Sequence, residues 1–267
     1  MDLTARVIGL MLLVRALALA QISEGPELDA AKSLVVMIEG NLGENSTRGG
    51  GIVFAVDGGR VYIATAYHVV RPGEKRATEL KVRFRQRPND SYTGEHHEDA
   101  SFEHDLAILK VRALGLQFQL DVLADSASFR ESVKVFAIGY PRGSRWGVNQ
   151  TPGMITEVRS QKLFVESPYI TVGHSGGALV DDRMRLTGMV LDTDGAIASA
   201  LRIDRLVAIL REDVKLPVQL RASSRVSSSL QSKTESPSPG GDSSLAPSPR
   251  AKYGGSCRGG KGCNCSA

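Results

Sequence analysis

The chain has 267 residues, 42% of them hydrophobic, which is enough for a substantial core and for one large or two small domains. Its net charge of +4 is uneven, because the segment from Arg221 onward carries +5 and residues 1–220 therefore sum to −1. A basic surface on the folded part is not supported, so we expect no nucleic-acid partner. All three cysteines lie in the last eleven residues, so no disulfide is expected in the core.

The first element is an apolar N-terminal segment. Arg6 precedes the apolar run and Ala18-Leu19-Ala20 fits a small-x-small cleavage site, so residues 1–20 are predicted to be a signal peptide. The run is too short for a comfortable transmembrane span, and we expect no stable membrane span. The segment indicates export to the periplasm or the extracellular space. The alternative is an uncleaved amphipathic helix on the domain, which would fit a cytoplasmic protein.

Short β-like runs then recur, separated by Gly, Pro, Asn, Asp or charged residues. Eleven such runs are found, at 34–38, 51–56, 61–66, 80–84, 106–111, 133–139, 153–158, 162–167, 177–181, 186–191 and 196–203. Little helical periodicity lies between them, which predicts an all-β sandwich or barrel. Two halves of similar β content, near 30–120 and 130–205, would fit a duplicated barrel. One helix follows, over about 204–213, with Asp204 as its predicted N-cap.

After Leu220 the composition becomes rich in Ser, Pro and Gly, which predicts a disordered tail. The predicted organisation is a signal peptide at 1–20, a folded domain at 21–218 made of two barrels (about 21–120 and 121–218), and a disordered basic tail with three cysteines at 219–267. The cysteine spacing in the tail, C-x5-C-x-C, has no fourth ligand nearby, so a zinc site is not favoured.

The polar block His96-His97-Glu98-Asp99 could suggest a metal cluster, but its polar surroundings favour a solvated loop between strands. The Asp-Thr-Asp-Gly sequence at 192–195 lacks the remaining ligands of a calcium loop and favours a β-turn. We therefore predict no metal and no cofactor.

Three short motifs carry residues suited to nucleophilic catalysis. They are "VYIATAYHVV" with His68, "HDLAILKV" with Asp105, and "GHSGG" with Ser175. Each has an ordinary structural explanation when taken alone: a core histidine, a carboxylate that caps a strand, and a serine in a Gly-rich turn. A serine hydroxyl is unreactive until a neighbouring base takes its proton, so their significance depends on whether they converge.

Together these motifs resemble the chymotrypsin-like serine peptidases, and within them the HtrA/Deg-type branch. The resemblance covers roughly residues 33–210 and rests on five motifs in family order, namely "ATAYHVV", "HDLAILKV", "VFAIGYPRG", "TPGMITEV" and "GHSGGALVDDRMRLTGMVLD". It implies an all-β fold of two perpendicular six-stranded antiparallel barrels with a C-terminal helix. His68 and Asp105 would come from the first barrel and Ser175 from the second.

The resemblance also implies a role for each of these residues. Ser175 would be the nucleophile, His68 its general base, and Asp105 the group that orients the imidazole. The backbone N–H groups of Gly173 and Ser175 would form an oxyanion hole.

The same resemblance places a substrate pocket at Tyr169, Val190 and Leu191. Tyr169 stands where the trypsin branch has an acid, so we expect cleavage after small or medium apolar residues rather than after Lys or Arg. We expect polypeptide substrates and a role in protein quality control.

Some features depart from the family. His174 occupies a position where the HtrA/Deg branch usually has Asn, and no peptide-binding PDZ domain can be matched after the predicted helix. The oligomeric state is not predicted. An active serine endopeptidase is the leading interpretation, and the alternative is a non-catalytic protein of this fold that binds peptides or a partner. An α/β-hydrolase is excluded, because His68 and Asp105 precede Ser175 and helices are scarce.

Overall fold

A computed structural model describes residues 25–97, 102–141, 145–149 and 151–223. The predicted signal peptide lies outside the described residues, as do residues 224–267 of the predicted tail with its three cysteines. Both therefore remain predictions.

The first half of the chain forms a closed antiparallel β-barrel. Its six strands are β1 (Val35–Asn41), β2 (Ser46–Asp57), β3 (Arg60–Ala66), β4 (Thr78–Phe84), β5 (Arg87–His96) and β6 (Leu106–Arg112). They pair in the order β1-β2-β3-β6-β5-β4, and β4 returns to β1. Their inward side chains form a dense apolar core, because β-branched and aromatic residues pack well on pleated strands.

The second half forms another closed ring of six antiparallel strands. These are β8 (Lys134–Gly139), β10 (Gly153–Val158), β11 (Lys162–Glu166), β12 (Ala178–Asp181), β13 (Leu186–Thr193) and β14 (Ile197–Arg202). The order is β12-β8-β10-β11-β14-β13, closed by pairing of β13 with β12. Three short strands attach to this ring, namely β7 (Asp121–Leu123), β9 (Gly147–Val148) and β15 (Arg221–Ala222). The two barrels confirm the predicted fold class.

Helical segments are few and short in the described part of the chain. They are α1 (Pro26–Leu34), α2 (Tyr67–Val70), α3 (Ile203–Ala208), a 3₁₀ turn (Ser126–Ser128) and a π-helical turn (Ile209–Asp213). Two of them bear on the site. The helix α1 leads directly into β1, and α2 follows β3 and carries His68.

All eleven predicted runs overlap strands, but the predicted N-cap of the last helix was wrong and one further strand was not predicted. The last helix begins at Ile203 with Arg202 as its N-cap, so Asp204 lies inside the first turn, where its carboxylate accepts a 2.7 Å bond from Arg202. The strand β5 (Arg87–His96) was not predicted; of the block 96–99 predicted as a loop, His96 ends this strand, His97 lies outside it, and residues 98–99 lie outside the described part of the chain. A strand with mostly exposed side chains shows no hydrophobic alternation, so only its backbone pairing with β4 and β6 reveals it.

Two sets of contacts join the barrels. The Trp146 Nε1–H donates to the Val35 carbonyl at 2.6 Å, and the Tyr140 hydroxyl donates to the same oxygen at 3.3 Å. On the segment before β15, the Gln219 side chain bonds both backbone groups of Val56 in β2, at 3.0 and 2.9 Å. The described fold thus continues past residue 218, and the barrels are held together by hydrogen bonds as well as packing.

Candidate active site

His68 and Asp105 come together on the first barrel. His68 lies in α2, at the end of β3, and Asp105 lies just before β6, the strand that pairs with β3. The His68 Nδ1 is 2.9 Å from the Asp105 Oδ2 and 3.2 Å from Oδ1. The His68 backbone N–H also donates to the Asp105 Oδ1 at 3.1 Å. The carboxylate therefore fixes both the ring and the backbone that carries it.

The backbone at Asp105 adopts an unusual conformation. Its φ is +48°, in the left-handed region that non-glycine residues rarely adopt. The surrounding bonds hold it there, because the Asp105 carbonyl accepts from the Tyr67 N–H at 3.0 Å and its own N–H donates to Phe102 at 3.1 Å. Strain of this kind concentrates at functional sites, where neighbouring structure over-determines the geometry.

Ser175 lies in the loop before β12, on the second barrel, and is partly exposed. Its carbonyl accepts a 2.8 Å bond from the Gly50 N–H in β2 of the first barrel. The loop is also bonded to β13, because the Gly176 N–H donates to Val190 at 2.7 Å and the Val190 N–H donates to Gly177 at 2.9 Å. Ser175 is thus held between a strand of each barrel.

The backbone of the serine loop lies close to the strands around His68, at glycine positions that carry no side chain. A Cβ at Gly49 would lie 2.6 Å from a Val69 methyl and 2.8 Å from the Ser175 carbonyl oxygen. A Cβ at Gly176, where φ is +77°, would lie 2.2 Å from the Gly50 oxygen. Only glycine fits at such positions. The serine loop therefore packs directly against the segment that carries His68.

The predicted oxyanion-hole groups are free to bind a ligand within the described structure. Among the described residues, the N–H groups of Gly173 and Ser175 donate no hydrogen bond, although their neighbours His174, Gly176 and Gly177 all do. Gly173 has a φ of +103°, and a Cβ there would lie 2.3 Å from the Tyr140 carbonyl. Two donors without a partner in one glycine-rich loop are suited to a developing negative charge.

Electrostatics favour protonation of His68. The hydrogen bond to Asp105 raises the pKa of His68 above its ordinary 6.5, against an opposing effect of burial. The charges of Asp105 and Asp192 raise this pKa further. A carboxylate beside the ring stabilises the imidazolium, which is the form the ring takes after accepting a proton.

His174 cannot replace His68 as the base. It is 1% exposed, and its Nδ1 lies 3.1 Å from the Thr171 nitrogen and 3.0 Å from the Thr171 oxygen. Burial lowers the pKa of His174, and its Nε2 has no partner among the described residues. The ring is therefore a buried neutral group that packs beneath the Ser175 loop.

The residues predicted for the substrate pocket differ in exposure. Val190 and Leu191 are buried in β13, at 2% and 1% exposure, whereas Tyr169 is 53% exposed at the surface. The backbone of Val190 also bonds to the Ser175 loop through Gly176 and Gly177. Assignment of these three residues to the pocket remains a proposal.

Sequence reasoning missed two features of the site. The glycine run 49–51 was not recognised as the surface that receives the serine loop, although three consecutive glycines within a strand are an unusual signal. Asp192 was interpreted only as part of a turn, although an acid directly after the apolar run "LTGMVL" could have indicated a special position. To recognise the role of either feature requires knowledge of which strands face the cleft between the two barrels.

Two β-barrels, with a histidine–carboxylate pair on one and a glycine-flanked serine on the other, define the class of chymotrypsin-like serine peptidases. Residues 49–189, just over half of the chain, match the family model described as "Trypsin-like peptidase domain". The chain belongs to this family of trypsin-like peptidases, which confirms the predicted class of chymotrypsin-like serine peptidases.

Comparison with known proteins points to the predicted branch. The chain is 26% identical over 167 residues to the serine protease Do-like HtrA of Lactococcus lactis subsp. cremoris (strain MG1363), covering 54% of this chain and 37% of that protein. It is 27% identical over 190 residues to the protein of the same name from Lactobacillus helveticus, covering 64% and 44%. The chain thus spans less than half the length of these relatives. The resemblance to the HtrA branch is confirmed.

A solved structure agrees with this assignment at the level of the fold. The crystal structure of the serine endoprotease from Yersinia pestis superposes with a TM-score of 0.57 at 22% identity, covering 71% of this chain and 65% of that chain. In the described part of the present chain, no helix has the length and hydropathy that crossing a membrane requires. No group of three or more potential metal ligands occurs among the described residues either.

Proposed function

We propose that this chain is a serine endopeptidase in which Ser175, His68 and Asp105 act as a catalytic triad. The observation that carries the proposal is the 2.9 Å bond between His68 Nδ1 and Asp105 on the first barrel, next to a loop of the second barrel that presents Ser175. The buried contacts of Gly49 and Gly176 support this arrangement, because they fix the loop against the strands that lead to His68.

The mechanism follows from the chemistry of these groups. Because Asp105 engages Nδ1, the proton on that nitrogen leaves Nε2 as the basic nitrogen of the neutral ring. His68 takes the proton of the Ser175 hydroxyl as Oγ attacks the scissile carbonyl carbon, and the N–H groups of Gly173 and Ser175 stabilise the oxyanion. The imidazolium then protonates the leaving amine, which gives an acyl-enzyme. A water molecule, activated by the same imidazole, hydrolyses the ester and restores Ser175.

We further propose that the enzyme acts on polypeptides and prefers a small or medium apolar residue before the cleaved bond. Tyr169, Val190 and Leu191 supply no charge to a pocket at this place, which supports an apolar preference. Membership of the trypsin-like family and similarity to HtrA proteins support a polypeptide substrate. Protein quality control outside the cytoplasm is the setting proposed for this activity.

A fluorophosphonate probe and an unfolded protein substrate test the proposal. The parent should be labelled and should cleave the substrate, and Ser175→Ala should do neither. By analogy with other triads, His68→Ala should lower kcat by roughly 10⁶-fold, and Asp105→Asn by roughly 10⁴-fold. Ser126→Ala, which changes an exposed serine in the 3₁₀ turn outside this loop, is the matched control and should behave as the parent.

One observation favours a second candidate function, a non-catalytic peptide-binding protein. Among the described residues, no hydrogen bond joins the Ser175 hydroxyl to His68. Such bonds are often long in peptidases without substrate and shorten when substrate binds, so the endopeptidase remains the better supported function. An unlabelled parent that still binds unfolded polypeptide would establish the second candidate and overturn the first.

A further inference from the structure

Asp192 lies in β13, two residues beyond the point where that strand is bonded to the serine loop. Pairing of β13 with β14 contains a bulge between Val190, which faces Ala200, and Asp192, which faces Ser199. The bulge inserts Leu191, so that Leu191 is buried and Asp192 is exposed. Bulges next to active sites commonly redirect a side chain in this way.

The carboxylate of Asp192 has no cationic partner among the described residues. Its one described hydrogen bond is local, from the Thr193 N–H to Oδ1 at 2.8 Å. Its negative charge nevertheless reaches His68, since it raises the pKa of that imidazole. Because Asp192 is exposed and lies two residues beyond Val190, whose backbone bonds to the serine loop, its carboxylate is available to a ligand bound beside that loop.

The backbone around Asp192 offers a place for an extended peptide. On the edge of β13 away from β14, pairing with β12 ends at Met189, which faces Ala178. Beyond Val190 no described strand pairs with this edge. An extended peptide added here would continue the sheet, and one of its side chains would lie opposite Asp192 on the same face.

Exposed apolar side chains on the segments that lead to the triad residues suit a long side chain with a charged end. They are Tyr169 at 53% and Val172 at 81% before Ser175, and Phe102 at 81% before Asp105. Phe102 packs edge-on against Tyr67, beside His68, with ring centroids 5.7 Å apart. The aliphatic stem of Lys or Arg can cover such surface while its charged end reaches a carboxylate.

We propose that Asp192 is a specificity-determining residue that favours substrates with Lys or Arg at the position lying opposite it along β13. This subsite is separate from the uncharged pocket proposed for the residue before the cleaved bond. The inference rests on the proposed peptidase function, because the position of the cleaved bond defines the direction in which the peptide lies. It adds the substrate chemistry that this site prefers, a cationic side chain.

Kinetics with matched peptides test the inference. A quenched fluorescent peptide with an apolar residue before the cleaved bond is varied at each other position among Lys, norleucine and Glu. Assays are run well above the pH range in which His68 titrates. At one position, Lys should exceed norleucine in kcat/KM by about two- to five-fold, the range for an exposed ion pair, and Glu should be disfavoured. Added salt should reduce this preference.

Variants then assign the preference to Asp192. Asp192→Asn keeps the acceptor for the Thr193 N–H and should abolish the Lys preference, and Asp192→Lys should reverse it toward Glu. Asp194→Asn is the matched control, because its carboxylate is engaged by the N–H groups of Ala196 and Ile197 in the next turn. This control should retain the preference of the parent. A Lys preference that survives in Asp192→Asn, or its absence at every position, overturns the inference.

Two further measurements separate failure of this inference from failure of the proposed function. Fluorophosphonate labelling of Ser175 in the parent reports on the triad independently of the subsite, and it should persist in the Asp194→Asn control. Peptide binding to Ser175→Ala, followed by fluorescence anisotropy, reports on the subsite without catalysis. Tighter binding of the Lys peptide there, lost in the Ser175→Ala/Asp192→Asn double variant, supports the inference even if the parent does not cleave. Equal binding of Lys and Glu peptides contradicts it.

Discussion

At the scale of single residues, two histidines a short distance from Ser175 have opposite electrostatic environments. A hydrogen bond to Asp105 raises the pKa of His68, because the carboxylate stabilises the charged ring. Burial lowers the pKa of His174, because the hydrogen bond to the Thr171 backbone only partly compensates for the lost solvation of a charge. One ring is thus suited to accept a proton, and the other remains neutral beneath the loop.

The buried histidine predicts a specific pH dependence of stability. In the unfolded chain His174 takes up a proton near pH 6.5, whereas in the folded chain it does so only at lower pH. The unfolded state therefore binds more protons as pH falls below 6.5, and this group makes the fold progressively less stable down to its lowered folded-state pKa.

His174→Asn should remove this contribution, because Asn retains an acceptor for the Thr171 N–H and does not titrate. Urea unfolding of parent and variant at neutral and acidic pH measures the difference. The free energy of unfolding should fall less on acidification in the variant than in the parent. An equal fall in both proteins would show that another group causes the acid sensitivity.

At the scale of elements, the site depends on glycines that allow a loop and two strands to approach closely. The loop 171–177 reaches β2 and β3 where neither side carries a Cβ, at Gly49, Gly50 and Gly176. The buried Thr65 hydroxyl donates to the Gly50 carbonyl at 2.6 Å and fixes the receiving surface. Catalytic geometry here is thus a property of backbone packing between elements.

Gly176→Ala should disrupt this approach. The added methyl would lie 2.2 Å from the Gly50 oxygen and 2.4 Å from the Thr65 Oγ1, at a φ of +77°. The loop must then move away from the first barrel. A displacement of about 1 Å is expected to lower kcat/KM by roughly a hundredfold.

Gly43→Ala separates the steric effect from the cost of the backbone conformation. Gly43 has a φ of +89°, and a methyl group added there would meet no other atom within 4 Å. This variant should lose some stability but keep its activity. Fluorophosphonate labelling rates and thermal unfolding of both variants provide the comparison, and a similar loss of labelling in both would contradict the packing explanation.

At the scale of the whole molecule, the site exists only where two barrels meet, so their association is part of the mechanism. Trp146 and Tyr140 of the second half both donate to Val35 of the first. Gln219 bonds to β2 through its side chain, and its backbone N–H donates to Phe54 at 2.9 Å. These bonds fix the barrels that carry His68 and Ser175.

Gln219→Leu should weaken that association. Leucine preserves the size of the side chain but leaves the N–H and C=O of Val56 without their partner, at a net cost of about 1–3 kcal/mol. Urea unfolding should show this loss of stability. Gln161→Leu, at a turn where no described side-chain bond is made, is the matched control and should change stability little; an equal effect of both substitutions would contradict the proposed role of Gln219.

The sequence by itself determined the eleven apolar strands, the all-β class and the three residues proposed as a triad. Periodicity and turn residues are local signals, and the motifs around His68, Asp105 and Ser175 can be recognised wherever they lie. The polar strand β5 escaped prediction, because exposed side chains carry no pattern and only backbone pairing with its neighbours defines it.

Tertiary structure alone decided how these residues meet. The strained backbone of Asp105, the glycine surface at 49–51 and the exposed position of Asp192 all depend on which strands become neighbours. Contacts between residues far apart in the chain leave no periodic trace in it, because they are set by barrel closure and by the packing of one barrel against the other.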